Sequence, residues 1–361
     1  MPTSIHGTNG ITFNDGSTQN TRPAVGFRNR IINGDMRIDQ RNAGASVSIA
    51  ANNSPYTIDR FQITQNGSVS STVQRSTVVP AGQGFTNSLF TTVDTAEPDV
   101  ATGNKTYGYY YKLEGFSTSD LGWGTASAQS ITISFWVRSS VAGTYSFSVM
   151  NTSFTRSYNS SYTISAVDTW EKKTFTITGD TGATSINTTN GISISLVFDL
   201  GYSTMYETST ANSWLETGAY ALSGCTKLSS TVGATFYLTG VQLEAGSTAT
   251  EFERRPIGTE LALCQRYFIR YINRAMGTMN GTSHLYNGSI AFPVTMRSTP
   301  TLVSGASFAV NTGSAGTPAL DPTSTNNSAI TTVDQAIFWN SSSNWTSNNF
   351  ASITCSLASE L

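Results

Sequence analysis

Apolar and polar residues alternate in short runs along most of this 361-residue chain, and each run stops at Gly, Ser, Asn or Asp. The runs YGYYYKLEGF (107–116), SITISFWVRS (130–139), GTYSFSVM (143–150), KKTFTITG (172–179), ISISLVFDL (192–200) and ATFYLTGVQLEA (234–245) all have period two. That is the repeat of a strand with one face in a core and the other turned away. In YGYYY the alternation sends Tyr107, Tyr109 and Tyr111 to one face and Tyr110 to the other, as in a strand packed on both sides. Regular short strands with turn signals predict an all-β fold, a sandwich or jelly roll over 25–255. No period of self-similarity is present, so a propeller or solenoid is not expected.

The pattern changes on either side of this region. At its start, Ile31-Ile32 and then Met36 and Ile38 flank an Asn33-Gly34-Asp35 turn. At its end, Pro256 to Arg270 reads as a helix: Pro suits the first turn, Glu260 lies early, Arg266 lies late, and Leu261, Cys264 and Phe268 form an apolar stripe. The stripe can be buried between two domains of one chain or around a three-fold axis. Strands resume in SIAFPVTM, TPTLVSG, AIFWN and ASITCSLASEL, which predicts a smaller C-terminal β-sandwich domain over 271–361 with loops at 311–332 and 340–349. Residues 1–24 are polar, Gly-rich and too few to fold alone. They are expected to order against a docking partner or another chain.

Composition narrows the classes. Charged residues are 12% of the chain, against about 25% in ordinary soluble domains. Such a polar, Gly-rich chain raises disorder as an alternative. Six Trp, fifteen Tyr and eighteen Phe argue for a large core instead. The net charge of −2 implies no basic face, so no nucleic-acid partner is expected. Cys225, Cys264 and Cys355 are odd in number and far apart, which reads as free thiols from a reducing cytosol. The N-terminus has no secretory pattern, and no run of apolar residues is long enough to enter a membrane.

Catalytic chemistry is not expected. His6 and His284 lack partners at the spacing of a metal site or a nucleophile–base pair. Glu244, Glu251 and Glu253 neighbour Arg254 and Arg255, which suggests ion pairs at an interface rather than the paired acids of a glycosidase. Asp94, Glu97, Asp99 and Asp120 could offer oxygens to Ca²⁺, but without a recognisable loop spacing, so no cofactor is assigned. Sugar binding needs aromatic surface beside amides and hydroxyls. Trp123, Trp214, Trp339 and Trp345 are the candidates, with Asn344 and Asn348 beside the last two, and 339–349 is the expected distal contact surface. Trp123 and Trp214 can instead cap a sandwich end, while Trp136 and Trp170, in or beside strands, read as core.

Three segments carry a family resemblance: GTNGITFNDGSTQNT (7–21), NRIINGDMRIDQRNAG with YTIDRF (29–44 and 56–61), and VQLEAGSTATEFERRPIGTELALCQRYF (241–268). In this order they resemble bacteriophage tail fibres and receptor-binding proteins, and the middle region is similar in pattern to carbohydrate-binding jelly rolls. The resemblance implies an elongated homotrimer on the virion, assembled in the host cytoplasm. It implies docking to other virion or tail proteins through the N-terminus, non-catalytic attachment to host-surface glycans, and Leu261, Cys264 and Phe268 at the trimer axis. A head fibre, capsid decoration or tail component without receptor specificity is the alternative.

Overall fold

The computed structural model describes residues 27–182, 186–278, 284–303 and 350–361, together with strands at 4–6, 10–12, 18–19, 307–311, 327–331 and 335–342. The chain opens on a meander of β1 (Ser4–His6), β2 (Gly10–Thr12) and β3 (Thr18–Gln19). Next come β4 (Val47–Ile49), β5 (Tyr56–Ile58), β6 (Phe61–Asn66), β7 (Ser70–Ser76), β8 (Ser88–Thr95) and β9 (Thr106–Glu114). They are followed by β10 (Ile131–Ser139), β11 (Gly143–Asn151), β12 (Ser157–Ile164), β13 (Glu171–Ile177) and β14 (Ile192–Asp199). Three short strands, β15 (Glu207–Thr208), β16 (Trp214–Leu215) and β17 (Ala221–Leu222), precede the long β18 (Thr235–Ala245). The expected period-two runs lie on β9, β10, β11, β13, β14 and β18.

Two sheets result, ordered β13-β10-β18-β8-β7-β4 and β16-β12-β11-β14-β9-β6-β5. They close over one apolar core. Phe135 of β10 lies 5.6 Å from Phe147 of β11 and 5.1 Å from Phe198 of β14, ring centre to ring centre. Tyr107, Tyr109 and Tyr111 are buried in this core, whereas Tyr110 joins a separate cluster with Met150, Val197 and Tyr202 on the far side of its sheet. The phase expected for that strand is the phase observed.

A bulge shapes β18. Opposite β10 the register steps between Ser134 and Trp136, and Gly240 takes φ 62°. A Cβ there would come within 2.6 Å of the Phe85 ring, so glycine is required by conformation and by space. Beyond the bulge, the 29–34 segment lies against β18: Val241 N donates to Gly34 O at 2.9 Å and Arg30 N to Leu243 O at 2.9 Å. Ile31 and Met36 thereby enter the main core.

The helix α1 is shorter than expected. It spans Ile257–Gln265, because β19 (Phe268–Thr278) takes Phe268 into a ladder opposite Ala358. Cys264, fully buried, packs with Tyr267 against Ile32 and Ile38, while Leu261 is half-buried beside them. Phe268 is buried beneath the Arg41 guanidinium, 3.8 Å from its ring centre. Cys264 and Phe268 are therefore buried within this chain.

After β19 come β20 (His284–Ala291), β21 (Thr301–Leu302), β22 (Ser307–Asn311), β23 (Asn327–Thr331), β24 (Gln335–Ser342) and β25 (Phe350–Ala358). They form one sheet on β25 and another ordered β20-β24-β23. Two expectations are corrected here. His284 opens a strand rather than lying in a loop, and part of the expected 311–332 loop is β23. Past β25 the chain returns to the sandwich, where Glu360 pairs with Arg60 at 2.8 Å and also with Arg41.

Asp59 is buried at this junction and accepts from Gln40 N at 2.7 Å and Gln40 Nε2 at 2.6 Å. Burial pushes its pKa up to about 6 from 3.8, against the opposing pull of Arg41 and Gln40. The folded chain thus holds this proton more tightly than the unfolded chain does. The contribution is full below pH 3.8 and is lost as pH rises through about 6, a change of at most about 3 kcal/mol. Asp59→Asn is expected to remove that slope, as read from urea midpoints across this range. Parallel profiles for the two proteins would refute it.

Candidate functional site

The two outer faces of the sandwich differ. Over the seven-stranded sheet, residues 200–228 form a roof. Ser148 Oγ donates to Tyr220 O at 2.8 Å and Ser157 Oγ to Thr217 O at 2.8 Å. Beneath the roof Asp199 is wholly buried and accepts from Ser146 Oγ at 3.1 Å and Tyr202 N at 2.9 Å. Burial raises its pKa, with Lys227 opposing.

The six-stranded sheet keeps part of its outer face open, while Ser134, Thr239, Gln242 and Glu244 on the same side are buried. Since Ile133, Phe135 and Val137 point into the core, Trp136 and Arg138 must point out. The register then aligns Gln74, Phe90, Tyr237 and Arg138 across β7, β8, β18 and β10. Trp170, just before β13, closes the row with its ring 5.9 Å from Tyr237. Four strand positions at a spacing of about 4.8 Å make a row about 14 Å long, and the Trp170 ring folds back onto it beside Tyr237.

All five side chains are half-buried. Phe90 stacks on Tyr237 at 4.4 Å. The Arg138 guanidinium stands 5.0 Å from the Tyr237 ring centre and pairs with Asp168 at 3.0 Å. Burial raises the Tyr237 pKa, with Arg138 opposing, so the phenol is neutral and can donate. The Trp170 Nε1–H is buried and has no hydrogen-bond partner.

A second row runs alongside. Lys172 lies opposite Trp136, and Trp136 opposite Thr239, whose hydroxyl donates to Asn87 O at 2.7 Å. Phe85 and Trp136 flank Gly240, and Phe85 meets Phe252 edge-on at 5.2 Å. Arg254 stands 5.1 Å from the Phe85 ring centre. The face is thus bordered by the 77–87 loop, the 250–254 segment and the 165–170 turn.

The sequence-predicted residues lie elsewhere. Trp123 is 7% exposed, donates to Gln129 O at 2.8 Å and meets Trp214 edge-on at 5.2 Å. Trp214, half-buried, donates to Thr178 O at 2.9 Å and packs on Tyr158. The pair covers one end of the core. Trp339 lies on β24, in register with Asn287 and Ser328. Asn344, Trp345 and Asn348 lie outside the described residues. Trp136 and Trp170 belong to the open face and not to the main core, a correction that for Trp136 the phase of SITISFWVRS could have supplied.

Of the expected ion pairs, Arg255 with Glu253 forms at 3.8 Å, while Glu244 pairs with Arg28 at 3.3 Å and Arg255 also with Glu260 at 3.2 Å. Of the acids weighed for Ca²⁺, Glu97 is buried beside Lys105 at 3.5 Å and Asp120 binds Arg30 at 2.6 Å. Asp94 accepts from Thr72 on β7, and Asp99 caps its own loop at Thr102. Among the described residues no group of three or more His, Cys, Asp or Glu could hold a metal ion.

No family model and no curated protein matches this chain. Solved structures do. A tailspike protein 4 domain of bacteriophage CBA120, described as enzymatically active, is 13% identical over 60% of this chain and 21% of its own, TM-score 0.34. This chain therefore spans about a fifth of that one. A putative sugar binding protein from Bacteroides thetaiotaomicron is 12% identical over 60% of this chain and 99% of its own, TM-score 0.33. A family 61 carbohydrate-binding module in complex with β-1,4-galactotriose is 10% identical over 61% and 99%, TM-score 0.31. With TM-scores this low, none of these likenesses bears on what the present chain binds.

Proposed function

We propose that this chain is a non-catalytic glycan-binding protein of a phage particle, and that the outer face of the six-stranded sheet is its sugar platform. One observation carries the reading: the row Gln74–Phe90–Tyr237–Arg138–Trp170 stands partly open to solvent on a rigid sheet. Aromatic rings take the apolar C–H surface of pyranoses, and the neighbouring amide, phenol and guanidinium serve sugar hydroxyls. Cleavage of a glycosidic bond needs two free carboxylates flanking it. Here Asp168 is tied to Arg138 and Asp94 accepts from Thr72 Oγ1 at 2.7 Å, which favours binding over catalysis.

The three segments that resemble phage tail fibres support a place on the virion, a homotrimer and attachment to a host surface. Labelled antibody on intact particles tests this part. A chain confined to the capsid would make it a structural component instead. The platform is tested by titrating a panel of bacterial surface polysaccharides. The double variant Tyr237→Ala/Trp170→Ala should bind about tenfold to a hundredfold more weakly, with its melting temperature within a few degrees of the parent. Undiminished binding would move recognition off this face.

A further inference from the structure

We infer that the glycan taken by this platform is acidic, one that carries sugar carboxylates; the inference rests on the platform reading above. It comes from the charges left over at the open face. Lys172 is exposed next to Trp136, and the two carboxylates on its own segment are engaged with other cations: Glu171 pairs with Lys173 at 2.6 Å and Asp168 with Arg138 at 3.0 Å. Arg254, also exposed, bonds only to backbone carbonyls of Gln83, Gly84 and Phe252. It leans on Phe85 and Phe252 at 5.1 Å and 5.6 Å from their ring centres. Neither cation has a carboxylate partner among the described residues.

The two cations stand at opposite ends of the second row, with Phe85, Gly240 and Trp136 between them. A neutral glycan gives them nothing that water does not. A chain of sugar acids laid along the row would meet a guanidinium at one end and an ammonium at the other. The aromatic row beside them would hold the ring faces.

The test uses the full chain with an oligogalacturonate and the same oligomer methyl-esterified, which keeps the ring and removes the charge. The acid should bind about tenfold tighter at low salt, and the preference should shrink at high salt. Lys172→Gln and Arg254→Gln should each weaken the acid about threefold to tenfold and leave the ester unchanged. Equal binding of acid and ester, with no salt dependence, overturns the acidic assignment while leaving the platform standing. Binding of either oligomer that survives Tyr237→Ala/Trp170→Ala removes the platform itself. A panel in which neutral glycans bind and every acidic one is silent also overturns the inference.

Discussion

Phe135→Ala should cost this chain about 3–5 kcal/mol of stability, the range for deleting a large aromatic from a packed core. Phe135 is wholly buried at the centre of the sandwich. Its ring meets Phe147, Tyr162, Phe175 and Phe198 at centre distances of 5.6, 5.4, 5.8 and 5.1 Å. These partners come from β11, β12, β13 and β14, so the cavity cannot be filled by moving one neighbour. Two of them, Phe147 and Phe198, also touch each other at 5.1 Å, which makes collapse into the space harder. Urea unfolding should show a lower midpoint with the slope unchanged. A loss under about 1 kcal/mol would mean that the sheets do not close on this residue.

Arg60→Ala should cost about 2–3 kcal/mol, because Glu360 keeps Arg41 but loses a buried cation, and the Lys112 carbonyl loses its donor. Arg60 is 1% exposed. Its guanidinium reaches Glu360 at 2.8 Å and Lys112 O at 2.5 Å, and it lies 3.6 Å from the ring centre of Tyr267. Arg60 belongs to the sandwich and Glu360 to the returning C-terminal segment, so one side chain ties them together. Arg60→Lys should recover little, since an ammonium cannot cover the Tyr267 ring and fork to both oxygens at once. Full stability in Arg60→Lys would show that charge alone suffices. Hydrogen exchange near residues 357–361 should rise in Arg60→Ala ahead of the core strands. Uniform exchange would place the loss elsewhere.

The strand-bearing runs were legible because one side of each strand is apolar and the period of a strand is two. The separation of Tyr110 from Tyr107, Tyr109 and Tyr111 followed from the same rule. The Asn33–Asp35 turn was legible for its Asn-Gly-Asp chemistry. The tryptophans divide for a physical reason, with the end-capping reading of Trp123 and Trp214 holding and the core reading of Trp136 not. Trp123 and Trp214 sit among Gly, Ser and Asn, yet the ends of a sandwich must be closed by something large, and loops supply it. Trp136 sits inside a strand, yet its neighbours Phe135 and Val137 already claim the core side. Local composition indicates loop or strand, whereas burial depends on phase and on what crosses over.

The sequence alone determined an all-β chain, a sandwich ahead of a short helix, strands after it, and an aromatic content high enough for a large core. Each is a local consequence of side-chain alternation, turn residues and helix-end preferences. Only the tertiary structure decided which outer face stays partly open, which side chains line up across four strands, and where the apolar stripe of α1 is buried. Those facts depend on register between segments far apart in the chain, and on residues 200–228 covering one sheet while the other stays partly open. Contacts of that range leave no periodic mark on the sequence.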